Sequence, residues 1–311
     1  MKPLYPHQPI AKLDSLSLAL GLTTSELLNL ASAADDFFIL QKEILKADGS
    51  KRQVYDVKPE LKRVHEKIKA IFLKQIKYPS FLHGSLKGKD YLSNIKQHTG
   101  QRVVISEDVS NFFPSISSKV VHEVWAGVFG FSNEVASCLT KLVTLNGFLV
   151  QGAKPSSYLC NLVLWSREAR LVSNFERKGY SYTRYVDDIT ISSPNNIGKD
   201  EVTDIITKTY SMLKTIGAKP NRQKHKVMPN GRNQAVHRVN VNSGTPTLPK
   251  KERQKIKAAV YECEQAHTTK SPTPAYRTLF NRTMGRVNNL KRIHPSEGLN
   301  LSMRLSMIKP T

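Results

Sequence analysis

The chain has 311 residues, enough to bury a sizeable core and to divide into about two domains or subdomains. Lysine and arginine number 47 against 25 acidic residues, giving a net charge of +22 and a pI near 9.9; the excess is spread along the whole sequence and implies a polyanionic partner. Three cysteines (Cys138, Cys160, Cys263) without Cys-x-x-Cys spacing and nine scattered histidines argue against a zinc site and fit reduced thiols, while no run approaches the ~18 apolar residues of a membrane span, so a cytoplasmic protein with no membrane partner is expected.

Residues 13–45 are helical in pattern. Thr23-Thr-Ser-Glu26 reads as a capping box opening a helix with Leu27, Leu28, Leu30 and Ala31 on one face. With Leu16, Leu18 and Leu20 ahead of Gly21, the segment has the outline of a helix-turn-helix. Its second helix carries almost no Lys or Arg for phosphate contact, which favours an ordinary αα-hairpin packed on a larger body. Asp48-Gly49 is a turn signal, and Lys51-Arg52-Gln-Val54-Tyr55-Asp-Val57 alternates as a basic hairpin strand. An amphipathic helix then runs from about Pro59 to Lys77, burying Leu61, Val64, Ile68, Ile71 and Phe72 under a lysine-rich outer face. His83-Gly84-Ser-Leu-Lys87-Gly88-Lys89-Asp90 fails as a phosphate loop. Its glycines are one residue too close, and Asp90 stands where Ser or Thr is needed, so a flexible basic loop is expected.

Further along, a helix follows Pro155 with Leu159, Leu162, Val163 and Ala169 inward. Another spans 199–216, with Asp200 and Glu201 in its first turn and Gly217 as its stop. Strand, helix, hairpin, helix, strand over 102–243 predicts a split βαβ unit, an antiparallel sheet backed by helices. Past Gly244-Thr-Pro-Thr-Leu-Pro249, lysine-rich helices over 250–264 and about 274–292 predict a small helical C-terminal subdomain.

The chemistry-bearing signal is Tyr185-Val186-Asp187-Asp188 within Tyr182-Thr-Arg-Tyr185-Val-Asp-Asp-Ile-Thr-Ile191. The alternation and the β-branched residues predict a β-hairpin with both aspartates at its tip. Adjacent carboxylates repel, and a divalent cation removes the conflict. Asp108, ending the apolar run Arg102-Val-Val-Ile-Ser106 before Phe112-Phe113-Pro114, supplies a third carboxylate. A strand-end aspartate joined to an aspartate pair is the donor set of a two-metal phosphoryl-transfer site.

Asp108-Val-Ser-Asn-Phe-Phe113-Pro-Ser-Ile, Gln151-Gly-Ala-Lys-Pro-Ser-Ser157 and Tyr-Val-Asp-Asp resemble, in order and spacing, the palm motifs of reverse transcriptases of the compact bacterial branch. The resemblance implies an α+β right-hand polymerase: a helical extension over 1–47, fingers over 48–101, a split-βαβ palm over 102–243 with interleaved fingers elements, and a helical thumb over 244–311. It implies two Mg2+ ions held by Asp108, Asp187, Asp188 and the Val109 backbone carbonyl, with dNTPs as substrates. Phe113, five residues after Asp108, takes the place of the ring that excludes a 2′-hydroxyl. Lys51 and Arg52 match the fingers hairpin that grips the triphosphate, and Gln151-Gly152 match the loop under nucleotide and template base. Lys224, in Asn221-Arg-Gln-Lys224, matches the lysine that approaches the pyrophosphate, with Lys226 as a competing choice.

A narrower resemblance is to retron reverse transcriptases. Asn94-Ile-Lys-Gln-His98 is similar to that group's Asn-Ala-x-x-His motif, with Ile95 in place of alanine. It implies a structured noncoding RNA as partner, copied in part into DNA from a 2′-hydroxyl so that a branched RNA–DNA hybrid (msDNA) results, and an effector protein in antiphage defence. RNA contacts are expected at Asn94, His98, His237, Arg238, Lys250, Lys251 and Lys255. The sequence departs from the group at Val236-His237-Arg238, where Val-Thr-Gly is usual, and at Lys154, Val57, Ser85 and Asp90. An intron-type or diversity-generating reverse transcriptase and a catalytically silent RNA-binding scaffold are the alternatives. The first leaves little room for a maturase extension, and the second has no need of repelling carboxylates.

Overall fold

The computed structural model describes residues 1–45, 49–270 and 273–310, with side chains given outside 269–270. Helices α1 (Leu13–Leu20) and α2 (Thr24–Ser32) form the expected αα-hairpin. The capping box is present: Glu26 N donates to Thr23 Oγ1 (3.2 Å) and Thr23 N to the Glu26 carboxylate (2.8 Å). Leu16, Leu20 and Leu27 are fully buried against the body, each stabilising it by roughly 1.5–3 kcal/mol relative to an exposed position. Leu28, expected inside, faces solvent.

The helical reading of 13–45 fails at its end. Phe38–Leu45 is a strand, β1, paired antiparallel with β2 (Lys51–Val57) in a two-stranded ribbon. Gln, Lys, Glu and Leu in β1 favour helix weakly, and pairing with β2 overrides that preference. The register shifts between Leu40 and Lys42, a bulge that bends the ribbon. Asp48 of the expected turn lies outside the described residues.

Helix α3 (Pro59–Ile71) is shorter than expected, giving way to a 3₁₀ turn at Leu73–Gln75. A loop then leads to α4 (Tyr91–Ile95). The loop is not a free basic segment: Phe81, Leu82, His83, Gly84 and Leu86 are buried.

The central sheet is built on β3 (Val103–Ser110), after which come α5 (Phe112–Ser115), α6 (Ser118–Gly127), α7 (Asn133–Val143), α8 (Ser156–Leu162) and α9 (Glu168–Arg177). Strands β4 (Ser181–Tyr185) and β5 (Asp188–Ser193) form the hairpin, then α10 (Lys199–Lys214) leads to β6 (Lys219–Pro220) and β7 (Lys226–Pro229). The order is β4-β5-β3, and the far edge of β3 takes β7 along Val103–Ser106 and β6 at Val109–Ser110, all antiparallel. Ile105 and Val109 of β3 pack into the main core while Val104, on the opposite face, packs with Leu92, Ile95 and Met228, so both faces of this strand are covered. Helices α6 to α10 supply much of one continuous core with the sheet, around residues such as Trp125, Leu139, Leu159, Phe175 and Leu213. This is the predicted split βαβ unit, and the chain is an α+β protein.

A short hairpin, β8 (Ala235–Val236) and β9 (Val239–Asn240), precedes the C-terminal helices α11 (Lys250–Lys270), α12 (Pro274–Ile293) and α13 (Pro295–Ser306). The last was not expected from the lysine pattern; Pro295 opens it and Leu301 and Leu305 seal it onto Val260, Tyr276 and Leu290 in a core of their own. Tyr91 bonds to Asn289 and Asp90 pairs with Arg292, so α4 is tied to α12.

Candidate active site

The β4–β5 register pairs Tyr185 with Asp188, leaving Val186 and Asp187 as a two-residue loop. Val186 is at φ 59°, a left-handed conformation that a β-branched residue avoids; of the two loop residues only this first one has positive φ. That pattern belongs to a II′ hairpin turn, which normally takes glycine at this place. On the neighbouring strand Asp108 stands directly opposite Asp188, and Val109 N donates to the Asp187 carbonyl at 3.0 Å. Register therefore gathers the three predicted carboxylates at one end of the sheet.

Their electrostatics reflect that crowding. Burial first, then Asp187 and Asp108, push the Asp188 carboxyl up to about 7. Asp187 is also raised, by burial and by Asp108, against the opposing charges of Arg52 and Lys224. Asp108 is engaged by Lys224 Nζ at 3.0 Å and Asn221 Nδ2 at 3.1 Å, while Asn221 N donates to the Asp108 carbonyl at 2.7 Å. Lys226 lies on β7 opposite Ser106, so of the two competing lysines it is Lys224 that touches a carboxylate. Behind Asp108, buried Glu107 accepts from Tyr210 at 3.0 Å and meets His225 Nδ1 at 2.6 Å, tethering the loop that carries Lys224.

No set of three His, Cys, Asp or Glu side chains among the described residues is already closed into a metal cage. The donor chemistry nevertheless suits a hard divalent cation: three carboxylates with a backbone carbonyl nearby, where burial and then the neighbouring carboxylates keep Asp188 prone to hold a proton. Asp108 would exchange its bond to the exposed Lys224 ammonium for a metal bond.

The other predicted residues divide into two groups. Gln151 O accepts from Tyr55 N at 2.8 Å, and Gly152, at φ 109°, lies so close to the Tyr55 carbonyl that a Cβ would collide with it. The 151–152 loop and the β1–β2 ribbon thus meet at one point, which only glycine permits. Lys51 is paired across the ribbon with Glu43 at 2.7 Å, and Arg52 is near enough for its charge to bear on Asp187. Phe112 is buried in the core, whereas Phe113 is partly exposed next to it, ring centroids 6.4 Å apart.

Two of the expected RNA contacts lie out of reach of RNA. Asn94 and His98 are fully buried: Asn94 Nδ2 donates to Thr183 Oγ1 at 2.9 Å, and the His98 ring bridges Ser192 Oγ and Thr183 Oγ1, both at 2.7 Å. Burial pulls His98 down to about 3, so its ring is neutral and splints the back of the β4–β5 hairpin instead of meeting RNA. His237 belongs with the carboxylates and not with the C-terminal helices. Its ring lies edge-on to Tyr185 at 4.9 Å, with Nδ1 3.6 Å from Asp188. Arg238, Lys250, Lys251 and Lys255 are exposed, Lys255 pairing with Glu252 at 2.7 Å.

Sequence reasoning missed Arg184 and Glu168. Both are buried, joined through Nε (2.6 Å) and Nη2 (2.7 Å). Burial would lower the guanidinium, and Glu168 outweighs it and holds Arg184 charged. Removing one partner of such a pair costs about 3–5 kcal/mol. The one signal in the sequence is an arginine inside an otherwise apolar or β-branched strand, Tyr182-Thr-Arg-Tyr185.

An antiparallel sheet with three carboxylates clustered at one end, in a strongly basic chain, is the arrangement of a nucleic-acid polymerase palm. Residues 44–257 match the family model of reverse transcriptase (RNA-dependent DNA polymerase). The Retron Se72 reverse transcriptase of Salmonella heidelberg is 34% identical over 312 residues, covering 99% of this chain and 82% of the relative. The Retron Ec48 reverse transcriptase of Escherichia coli is 35% identical over 318 residues, covering 98% and 78%. Among solved structures, apo telomerase from Candida tropicalis aligns with 98% of this chain and 71% of its own at 11% identity and a TM-score of 0.48, a likeness too distant to bear on function. The chain belongs to the reverse transcriptase family, on its retron-type branch. Among the described residues no helix is long and apolar enough to cross a membrane.

Proposed function

We propose that this reverse transcriptase copies part of a structured noncoding RNA into DNA that stays joined to the RNA through a 2′-hydroxyl branch. The observation that carries the reading is the cross-strand pairing of Asp108 with Asp188 beside Asp187, in a chain similar over nearly its full length to retron reverse transcriptases. Asp108, Asp187, Asp188 and the Val109 carbonyl would hold two Mg2+ ions, which supply an acidified primer hydroxyl and neutralise the leaving pyrophosphate.

The protein's own groups do the rest. Arg52, whose charge already bears on Asp187, and Lys51, once released from Glu43, would meet the triphosphate, with the ribbon seated on the 151–152 loop through Gly152. The Phe113 ring occupies the space a ribose 2′-hydroxyl would need. Lys224, freed from Asp108 when the nucleotide enters, turns its ammonium to the pyrophosphate. Residues 48–101, 102–243 and 244–311 are read as fingers, palm and thumb, with β1 (Phe38–Leu45) joining the fingers ribbon and only the chain before it, with α1 and α2, left as the helical extension. Arg238 near the end of the palm and Lys250, Lys251 and Lys255 beyond it present charge to the RNA away from the carboxylates, where discrimination rests on RNA shape because the catalytic cleft must accept every base. A neighbouring effector protein in antiphage defence completes the reading.

The test is to sequence nucleic acid that co-purifies with the full chain from its native locus. A single RNA species carrying covalently joined complementary DNA supports the reading. Unbranched cDNA from many RNAs, or RNA alone, overturns it.

A further inference from the structure

Arg184 spends its hydrogen bonds in an unusual direction. Nε and Nη2 are fixed by Glu168; Nη1 then donates to the carbonyl of Cys160 at 3.0 Å and to that of Val186 at 3.1 Å, and Nη2 to that of Asn161 at 3.1 Å. Tyr182 OH adds a bond to Glu168 at 2.7 Å. One buried guanidinium thus joins the C-terminal part of α8 to the peptide immediately before Asp187. That peptide belongs to Val186, a β-branched residue in a turn position that favours glycine. Without an opposing force the turn would relax toward negative φ and swing Asp187 with it.

The turn is braced from a second side. Gly84 packs so tightly on Val186 that a Cβ there would strike both its backbone and its side chain, and Asn161 Nδ2 donates to the Gly84 carbonyl at 2.7 Å. Asn161 and Arg184 therefore hold the same turn through different neighbours.

We infer that the Arg184–Glu168 pair is a positioning device for the catalytic turn: through its bond to the Val186 carbonyl it holds a strained conformation that aims Asp187 at the site shared with Asp108. Arg184 touches no substrate. Lysine cannot replace it, because a single ammonium lacks the planar fork that reaches Glu168 and three carbonyls at once. The inference rests on the polymerase reading of Asp187.

The experiment uses the full chain with Arg184→Lys, Glu168→Gln and Val186→Gly, alone and with Val186→Gly added to each of the first two. Single-nucleotide extension on a primed RNA template gives kcat, KM for dNTP and the Mg2+ half-saturation; template affinity and Tm are measured in parallel. Arg184→Lys and Glu168→Gln are expected to lower kcat by about 10²-fold, the scale of a small misplacement of a reacting group, and to raise the Mg2+ requirement with template affinity unchanged. Val186→Gly, which relieves the turn, is expected to restore much of kcat in those backgrounds without restoring Tm. A rate loss that follows Tm alone and is not rescued by Val186→Gly would overturn the inference, as would failure of both single variants to fold, which would assign the pair to fold stability. An inactive parent chain would instead strike the polymerase reading itself.

Discussion

Asp108 and Asp188 are cross-strand partners on β3 and β5, two carboxylates held side by side by sheet register with Asp187 next to them. Such a pair opposes folding unless protonated or bridged by a cation. The Asp188 carboxyl is raised from its ordinary 3.8 to about 7, by burial and by its acidic neighbours. Below the lower value both the folded and unfolded states carry the proton, and the group is neutral to stability. As pH rises through the window the unfolded chain loses the proton first, and stability falls until the folded value is passed. Asp188→Asn should therefore raise the Tm of the metal-free protein by a few degrees at about pH 8, and the gain should fade toward about pH 4.5. Thermal melts in a chelator across that range check it; a gain independent of pH contradicts the assignment.

Phe113→Val should narrow the preference for dNTP over rNTP by roughly 10- to 100-fold in kcat/KM, since the change opens space beside the sugar without touching the carboxylates. Phe112→Val should leave that ratio alone and lower Tm, because Phe112 is a core residue. Competition between dNTP and rNTP in a primer-extension assay separates the two.

Gly152→Ala should cost about 1–3 kcal/mol of stability, because its φ of 109° and the Tyr55 carbonyl both exclude a Cβ. Moving the ribbon also moves Lys51 and Arg52, so KM for dNTP should rise more than template affinity falls. Denaturant melts and steady-state kinetics check the two halves.

Arg238→Gly should stabilise the protein by about 1 kcal/mol, a rise of a few degrees in Tm. Val236 pairs with Val239, and the two residues between them, His237 at 48° and Arg238 at 65°, both have positive φ, so the β8–β9 turn has the I′ form that prefers glycine at its second position. Weaker affinity for the co-purifying RNA should accompany the gain, since Arg238 is an exposed cation. Melting and filter binding of the one variant test both statements.

The carboxylates, the hairpin that carries two of them and the helices that back the sheet were legible because hydrophobic period and β-branched runs mark them locally, although Val186 stands where the turn would favour glycine. Strand β1 was not, since its residues suit a helix and only pairing with β2 decides otherwise. Asn94 and His98 stood out as polar residues in a motif, yet nothing in one sequence distinguishes a polar residue that meets RNA from one that bonds Thr183 inside the protein. Arg184 passed unnoticed for the converse reason: a charged residue in an alternating strand reads as solvent-facing until Glu168, contributed by a different helix, is seen to neutralise it. His237 is local to the C-terminal segment in sequence and local to Asp188 only in space.

The central claim is RNA-templated DNA synthesis at Asp108, Asp187 and Asp188, and primer extension on an RNA template with Mg2+ tests it most directly when the parent chain is compared with Asp187→Asn and Asp108→Asn. The account predicts extension by the parent and a loss of about 10³-fold or more in either variant, with RNA affinity close to unchanged because that affinity comes from dispersed lysines and arginines. Extension by Asp187→Asn near the parent rate would contradict it.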